Sequence, residues 1–263
     1  MSPERKRRIF GLEIDNLTMD EALAEIERLS GVRGAAYVVT PDAQHISMLD
    51  ALADFRSAYA EADLVLPDSV PLVWLSRLLG RSLKERVAGS DILPYFAGRA
   101  AGESYRIGFL GSAPGVAAKS AEILERRNPG LNVVCALSPP RGFQEDPAAN
   151  AEVVGAVRDS KPDVLFVCLG TPKGEIWAWR NRRDAGVPVT VCVGAAFDFI
   201  AGIQRRAPRI LQKIGLEWFY RLCGNPRRLW KRYTLGNLRF LYLSARELLS
   251  LPPRDPRGKS TLR

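Results

Sequence analysis

Several aspartates and threonines stand where a short apolar run gives way to a turn, a position from which a side chain can reach a bound substrate. Tyr37-Val38-Val39 leads into Thr40-Pro41-Asp42, and Leu64-Val65-Leu66 into Pro67-Asp68-Ser69. Asp163 to Leu169 ends at Gly170-Thr171-Pro172-Lys173-Gly174-Glu175, and Val191-Cys192-Val193 at Gly194-Ala195-Ala196-Phe197-Asp198. A carboxylate so placed can act as a general base on a hydroxyl within hydrogen-bond reach. A threonine hydroxyl beside it can donate to a sugar or phosphate oxygen. Taken singly, each Asp or Thr is more readily read as a helix N-cap than as a catalytic group, so the argument rests on the set.

Gly108-Phe109-Leu110-Gly111-Ser112-Ala113-Pro114-Gly115 is a glycine-spaced loop whose amides, with a following helix N-terminus, suit a diphosphate. It lacks both the Lys-Ser/Thr of a P-loop and the full GxGxxG spacing, and a tight turn explains it as well. No Asp-x-Asp pair stands at a strand end to hold a metal on a nucleotide diphosphate. Arg and Lys are then the groups left to neutralise phosphate charge, and neither a metal nor another cofactor is called for.

The elements that must position these residues follow from the apolar pattern. Ala35–Val39, Leu64–Leu66, Arg106–Leu110, Asn132–Ala136, Val164–Cys168 and Val189–Val193 read as buried parallel strands. Helical patterns lie between them, from the capping box Thr18-Met19-Asp20-Glu21 to about Ser30, and over about 50–62, 71–79, 114–127, 147–159 and 173–184. This alternation predicts an α/β protein, a Rossmann-like, mainly parallel sheet with helices on both faces. Ligands then belong beyond the carboxyl ends of the strands.

The chain has 263 residues and a formal net charge of +9, very unevenly placed. Gln204 to Arg263 holds fifteen Lys/Arg and three Asp/Glu, whereas Met1 to Ile203 holds twenty-three and twenty-six. The sequence thus divides into a catalytic core over 1–203, a basic helical C-terminal appendage over 204–250, and a tail over 251–263 expected to be disordered. In the appendage Ile210, Ile214, Trp218 and Leu222 recur every four residues, predicting one helix over 209–223. A second is expected over 226–250, with Leu229, Tyr233, Phe240 and Leu243 beside many arginines. Such apolar stripes either pack on the body or lie on an anionic membrane surface, and the pattern leaves the two even. The four cysteines form no CxxC pair and the single histidine is His45, which argues against disulfides and structural zinc and for a reduced cytoplasm. The basic N-terminus leads into no apolar stretch, and no run approaches the ~20 residues of a membrane span. Membrane contact is expected to be peripheral, at the inner face.

The ordered series of loops resembles the WecG/TagA/CpsF glycosyltransferases from about Leu12 to Tyr242. The resemblance rests on Thr40-Pro41-Asp42, Ala62 to Ser69, Glu85-Arg86-Val87-Ala88-Gly89-Ser90-Asp91, Gly170 to Glu175, Val193 to Asp198, Arg206-Ala207-Pro208, Gly215 to Leu222 and Pro226-Arg227-Arg228. It implies a metal-independent, inverting transferase that takes a UDP-sugar and passes the sugar to a glycan on polyprenyl diphosphate, in polysaccharide or exopolysaccharide assembly. On this resemblance Asp68 is the base, with Thr40 beside the donor. Arg86 and Asp198 are site positions, and Asp42, Gly111, Ser112, Gly170, Lys173 and Glu175 complete the expected donor side. Arg221, Arg228, Lys231 and Arg232 are the expected acceptor-pyrophosphate positions on a membrane-docking appendage.

Three positions depart from the family pattern: Asp42 stands for Asn, Gly174 for Gln and Ser69 for Gly. An ionised Asp only accepts hydrogen bonds and glycine offers no side chain, so two donor contacts differ. The donor is left open between N-acetylmannosamine, its uronic acid and a hexose such as glucose. Two other classes compete: a non-catalytic nucleotide-sugar-binding subunit and, with less support, a nucleic-acid-binding protein using the basic tail. No nucleic-acid-binding motif supports the latter. Pairing of protomers through the exposed appendage is a further expectation.

Overall fold

The computed structural model describes residues 5–32, 34–224 and 226–250, with the side chains of 228, 229 and 231–233 left undescribed. The tail over 251–263, and the side chains of Arg228, Lys231 and Arg232, therefore lie outside the described residues.

Six strands form one parallel sheet: β3 (Ala36–Val39), β4 (Leu64–Val65), β5 (Arg106–Gly111), β6 (Asn132–Leu137), β7 (Val164–Cys168) and β8 (Val189–Cys192). Their spatial order is β4-β3-β8-β7-β5-β6, with every neighbouring pair parallel. Parallel strands covered on both faces must be apolar at successive positions, which is why these runs do not alternate with polar residues. Side chains still alternate between faces. Val38, Leu64, Phe109, Phe166 and Val191 enter one apolar cluster, and Tyr37, Val39, Val65, Leu165 and Val167 enter the other.

The first cluster is closed by α1 (Met19–Ser30), α5 (Gly89–Glu103), α6 (Val116–Arg127) and α9 (Ala196–Ile200). The second is closed by α2 (Ala43–Leu49), α3 (Ala53–Ala60), α4 (Val70–Leu78), α7 (Pro147–Ser160) and α8 (Lys173–Asn181). Local chemistry sets many starts. Thr18 and Glu21 make the expected capping box, Asp42, Ser69 and Asp146 cap α2, α4 and α7, and Pro147 opens α7.

The structure departs from the sequence reading in four places. Residues read only as a basic N-terminus form a hairpin of β1 (Lys6–Ile9) and β2 (Leu12–Asp15). It is held to the sheet edge where buried Asp15 accepts the Val65 N–H at 2.9 Å. The helix expected over 50–62 is present as α3, but α2, capped by Asp42, precedes it and α5 follows α4, and neither was expected. The single helix expected over 209–223 is broken into α10 (Arg209–Lys213) and α11 (Glu217–Gly224). The break is at Gly215, whose φ of 72° ends the helical run where it meets Val70 and Pro71. The four-residue stripe of Ile210, Ile214, Trp218 and Leu222 therefore does not lie on one helix.

The last helix, α12 (Pro226–Leu249), packs along α2. Phe240 and Leu243 join the second apolar cluster, and Phe240 meets the Phe10 ring at 5.8 Å. Ser47 Oγ donates to Gly236 O at 2.7 Å, and Arg81 Nη1 lies 3.3 Å from Glu247. Leu235, Leu238, Leu241, Tyr242 and Leu249 face outward and are exposed. One stripe of the helix thus packs on the body while a second remains open. Phe240→Ala is expected to lower stability by about 3 kcal/mol. Leu235→Ala is expected to change it by less than about 0.5 kcal/mol. Urea unfolding of the two variants checks the assignment.

Candidate active site

The carboxyl ends of β3, β4, β7, β8 and β5 bring most of the sequence-selected residues to one edge of the sheet. Asp68 is the centre of the first group. Its N–H is fixed by Pro41 O at 3.0 Å, so the turn after β4 is tied to the turn after β3. Its Oδ2 accepts the Gly89 N–H at 3.1 Å, and its Oδ1 lies 3.3 Å from Arg86 Nη2. Arg86 Nε donates to the Asp68 carbonyl at 3.2 Å. The same Nη2 is 3.2 Å from Glu217 Oε2 on α11.

Gly89, which opens α5, has to be glycine here. A Cβ would stand 2.8 Å from Thr40 Oγ1 and 3.1 Å from Val193 Cα. Thr40 and Asp68 thus border the same glycine, one at its α-carbon and the other at its N–H. Thr40 is buried, with its hydroxyl 3.4 Å from Cys192 O. Burial pushes the Asp68 carboxyl up; Arg86 opposes this, while Asp42 and Glu217 reinforce it, and the result is about 7. With 22% of its side chain still exposed, Asp68 is a carboxyl of near-neutral pKa that solvent can reach.

A second group lies beside it. Asp42 caps α2 by accepting the Gln44 and His45 N–H groups at 2.7 and 2.9 Å. Its Oδ1 also lies 2.6 Å from His45 Nδ1. His45 Nε2 is 2.7 Å from Thr171 Oγ1 and 3.2 Å from Glu175 Oε1, and Thr171 donates to that oxygen at 3.0 Å. Burial opposes charge on His45, but Asp42 and Glu175 outweigh it and hold the imidazolium up to about 10. This clamp crosses from the β3 end to the β7 end, over β8. The second Glu175 oxygen is buried with no hydrogen-bond partner among the described residues. At Gly174 a Cβ would meet only ordinary contacts, the nearest at 3.7 Å, so nothing at that position requires glycine for space.

A third group sits past β5. Gly111, at φ 116°, crosses so close to β7 that a Cβ would stand 2.5 Å from Cys168 O. Ser112 gives its N–H to that carbonyl at 2.8 Å and its hydroxyl to Asp198. The amide at the centre of the glycine-spaced loop is therefore already engaged, and no side chain caps α6. Arg206 pairs with both oxygens of Asp91, and the guanidinium groups of Arg206 and Arg221 both lie over the Phe199 ring.

Other expected site residues fall differently. Lys173 stands at the surface, 3.1 Å from Glu145, away from the Asp68 group. Gly170 is exposed at φ 74° and serves the turn into α8. Residues passed over in the sequence complete the site: His45, Gly89, Arg206 and Glu217. The place of His45 three residues after Asp42 gave only a local hint, and its contact with Glu175, 130 positions along the chain, needed the fold. Glu217 stood unremarked within the Gly215 to Leu222 stretch.

A doubly covered parallel sheet with a carboxyl, a hydroxyl and guanidinium groups at its carboxyl edge suits an anionic ligand bound there. Residues 7–254 match the glycosyl transferase WecG/TagA/CpsF family model. The chain belongs to that family, as its loops suggested. Among its relatives is an N-acetylglucosaminyldiphosphoundecaprenol N-acetyl-beta-D-mannosaminyltransferase of Bacillus spizizenii, 33% identical over 178 residues. That match spans 68% of this chain and 66% of the relative, slightly under two thirds of its length. A Staphylococcus aureus protein of the same name is 24% identical over 244 residues, spanning 90% of this chain and 91% of the relative.

Breaking the clamp should be visible in stability. His45→Gln is expected to cost about 3 kcal/mol near neutral pH, because it strands two carboxylates around a buried site. A histidine raised in the folded state contributes most below its unfolded value of about 6.5 and loses that contribution as pH rises toward its folded value. The gap between the two proteins in urea unfolding should therefore be widest below about pH 6.5 and narrow steadily toward about pH 10.

Proposed function

We propose that this chain is a metal-independent, inverting glycosyltransferase that moves a sugar from a UDP-sugar to a polyprenyl-diphosphate-linked glycan. The observation that carries the reading is Asp68, a carboxyl pushed to about 7 at the carboxyl edge of the sheet, beside Thr40 and Arg86. Asp68 takes the proton of the acceptor hydroxyl. The oxygen then attacks the anomeric carbon from the face opposite the departing UDP, forming the new glycosidic bond as the bond to the diphosphate breaks. Thr40 orients the donor through its hydroxyl. The chain holds no Asp-x-Asp pair at a strand end, and the charge of the leaving diphosphate falls to guanidinium groups, with Arg206, Arg221 and the basic start of α12 on the appendage side.

The relatives' names support an acceptor of the N-acetylglucosaminyl-diphosphoundecaprenol type and an N-acetylmannosamine donor. Asp42 is committed to His45 and the α2 cap, and Gly174 brings no side chain, so N-acetylmannosamine, its uronic acid and a hexose such as glucose are the donors to compare. No helix among the described residues is long and apolar enough to cross a membrane. Exposed Ile203, Ile210, Ile214, Phe219, Leu238 and Leu241 with exposed Arg209, Lys213, Arg239 and Arg246 suit peripheral contact with an anionic lipid surface instead.

Asp68→Asn is expected to lower kcat by about 10²–10⁴-fold while leaving UDP affinity nearly unchanged. In the unmodified enzyme the acid limb of kcat/KM should fall near pH 7. Parallel loss of UDP affinity by calorimetry would assign Asp68 to binding and sink the mechanism.

A further inference from the structure

The Arg86 guanidinium is shared. Its Nη2 lies 3.3 Å from Asp68 Oδ1 and 3.2 Å from Glu217 Oε2, near enough to offer each carboxylate one N–H. Arg86 and Asp68 belong to the body of the sheet, whereas Glu217 opens α11, 131 residues along the chain from Arg86. All three side chains are largely buried, with 17–22% exposure, so their charges act on one another with little screening. Nothing in the chemistry of a base requires a second carboxylate on its counter-ion. An ion pair of Arg86 with Asp68 alone would hold the carboxylate ionised and weaken it as a base.

We propose that Glu217 is a positioning residue for the transfer step: carried in on α11, it draws Arg86 partly away from Asp68, so that the base is set only when the appendage is seated against the body. This rests on the reading of Asp68 as the base. Glu217 does not touch the reacting atoms and acts through Arg86 and through its own negative charge. The surrounding groups agree with this. Asp42, itself neutralised by His45, and Tyr59 lie toward Asp68 from α2 and α3, and Arg206, paired with Asp91, lies toward it from the appendage. Asp42 raises Asp68 more than Glu217 does, but Glu217 alone of the two also holds Arg86, whose Nη2 is divided between it and the base. The Glu217 contribution to Asp68 is upward, in the direction a stronger base needs. Seating of α11 and readiness of the base become one event, and an unseated appendage leaves Asp68 tightly paired and weakly basic.

The test is the carboxyl titration of Asp68 in the full chain labelled with ¹³C at aspartate, its resonance identified by its loss in Asp68→Asn. Glu217→Gln keeps an oxygen for Arg86 and removes only the charge. Its Asp68 midpoint should fall by about one pH unit, the acid limb of kcat/KM should move down with it, and kcat at the plateau should drop severalfold. Glu217→Asp should restore most of both shifts. An unmoved midpoint in a Glu217→Gln protein with unmodified thermal stability overturns the proposal. So does a change confined to acceptor KM, which would make Glu217 a simple latch. Full turnover by Asp68→Asn would instead defeat the assignment of the base, while the titration would still report what Glu217 does to Arg86 and Asp68.

Discussion

A carboxylate that is to accept a proton near neutral pH must be taken out of water without being captured by its own counter-ion. Those demands conflict, because the cation that makes burial of Asp68 tolerable also lowers its basicity. Here the conflict is resolved by distributing positive charge among several acids. Arg86 serves both Asp68 and Glu217, His45 serves both Asp42 and Glu175, and Arg206 serves Asp91. Each cation is fixed by more than one element, so the ends of β3, β4 and β7 and the start of α11 are held in mutual register. The Asp68 carboxyl is left with burial as the dominant influence and rises to about 7.

The same network explains how a basic appendage can belong to an α/β core. Residues 1–203 are slightly acidic, and residues 204–250 bring the guanidinium groups of Arg206 and Arg221 over Phe199 together with the carboxylate of Glu217. One stripe of α12 contributes Phe240 and Leu243 to the core, and the opposite stripe leaves Leu235, Leu238 and Leu241 uncovered among exposed arginines. Packing on the body therefore accounts for one face of α12, and the opposite face is left open for the lipid contact proposed above.

How much could be read beforehand depended on whether the determining forces were local. All six sheet strands were legible, because a strand covered on both faces has to be apolar throughout, and the α1 capping box was legible for the same local reason. The β1–β2 hairpin was not: its residues are largely charged, and it depends on Asp15 reaching the Val65 N–H fifty positions away. The helix α5 was hidden by Pro94, Gly98 and Gly102, poor helix formers that tertiary packing of Phe96 and Ala97 overrides. Gly215 gave a signal that periodicity concealed, since a four-residue spacing continues across a break. In the site, Asp68, Thr40 and Arg86 stood out by position and resemblance and are brought together. Lys173, chosen for its place at a strand end, points to Glu145 instead. His45 and Glu217 became visible only when residues more than 120 positions apart were placed in contact.

The central claim is that this architecture transfers a sugar by single displacement at the carboxyl edge of the sheet. Its most direct test is to incubate the purified chain in EDTA with a panel of UDP-sugars and an N-acetylglucosaminyl-diphosphoundecaprenol acceptor, with and without anionic vesicles, and to determine the anomeric configuration of the product by NMR. The account predicts transfer from one donor, insensitive to EDTA, raised by vesicles, and with inverted configuration. Retained configuration, or UDP binding without transfer from any donor, would contradict it.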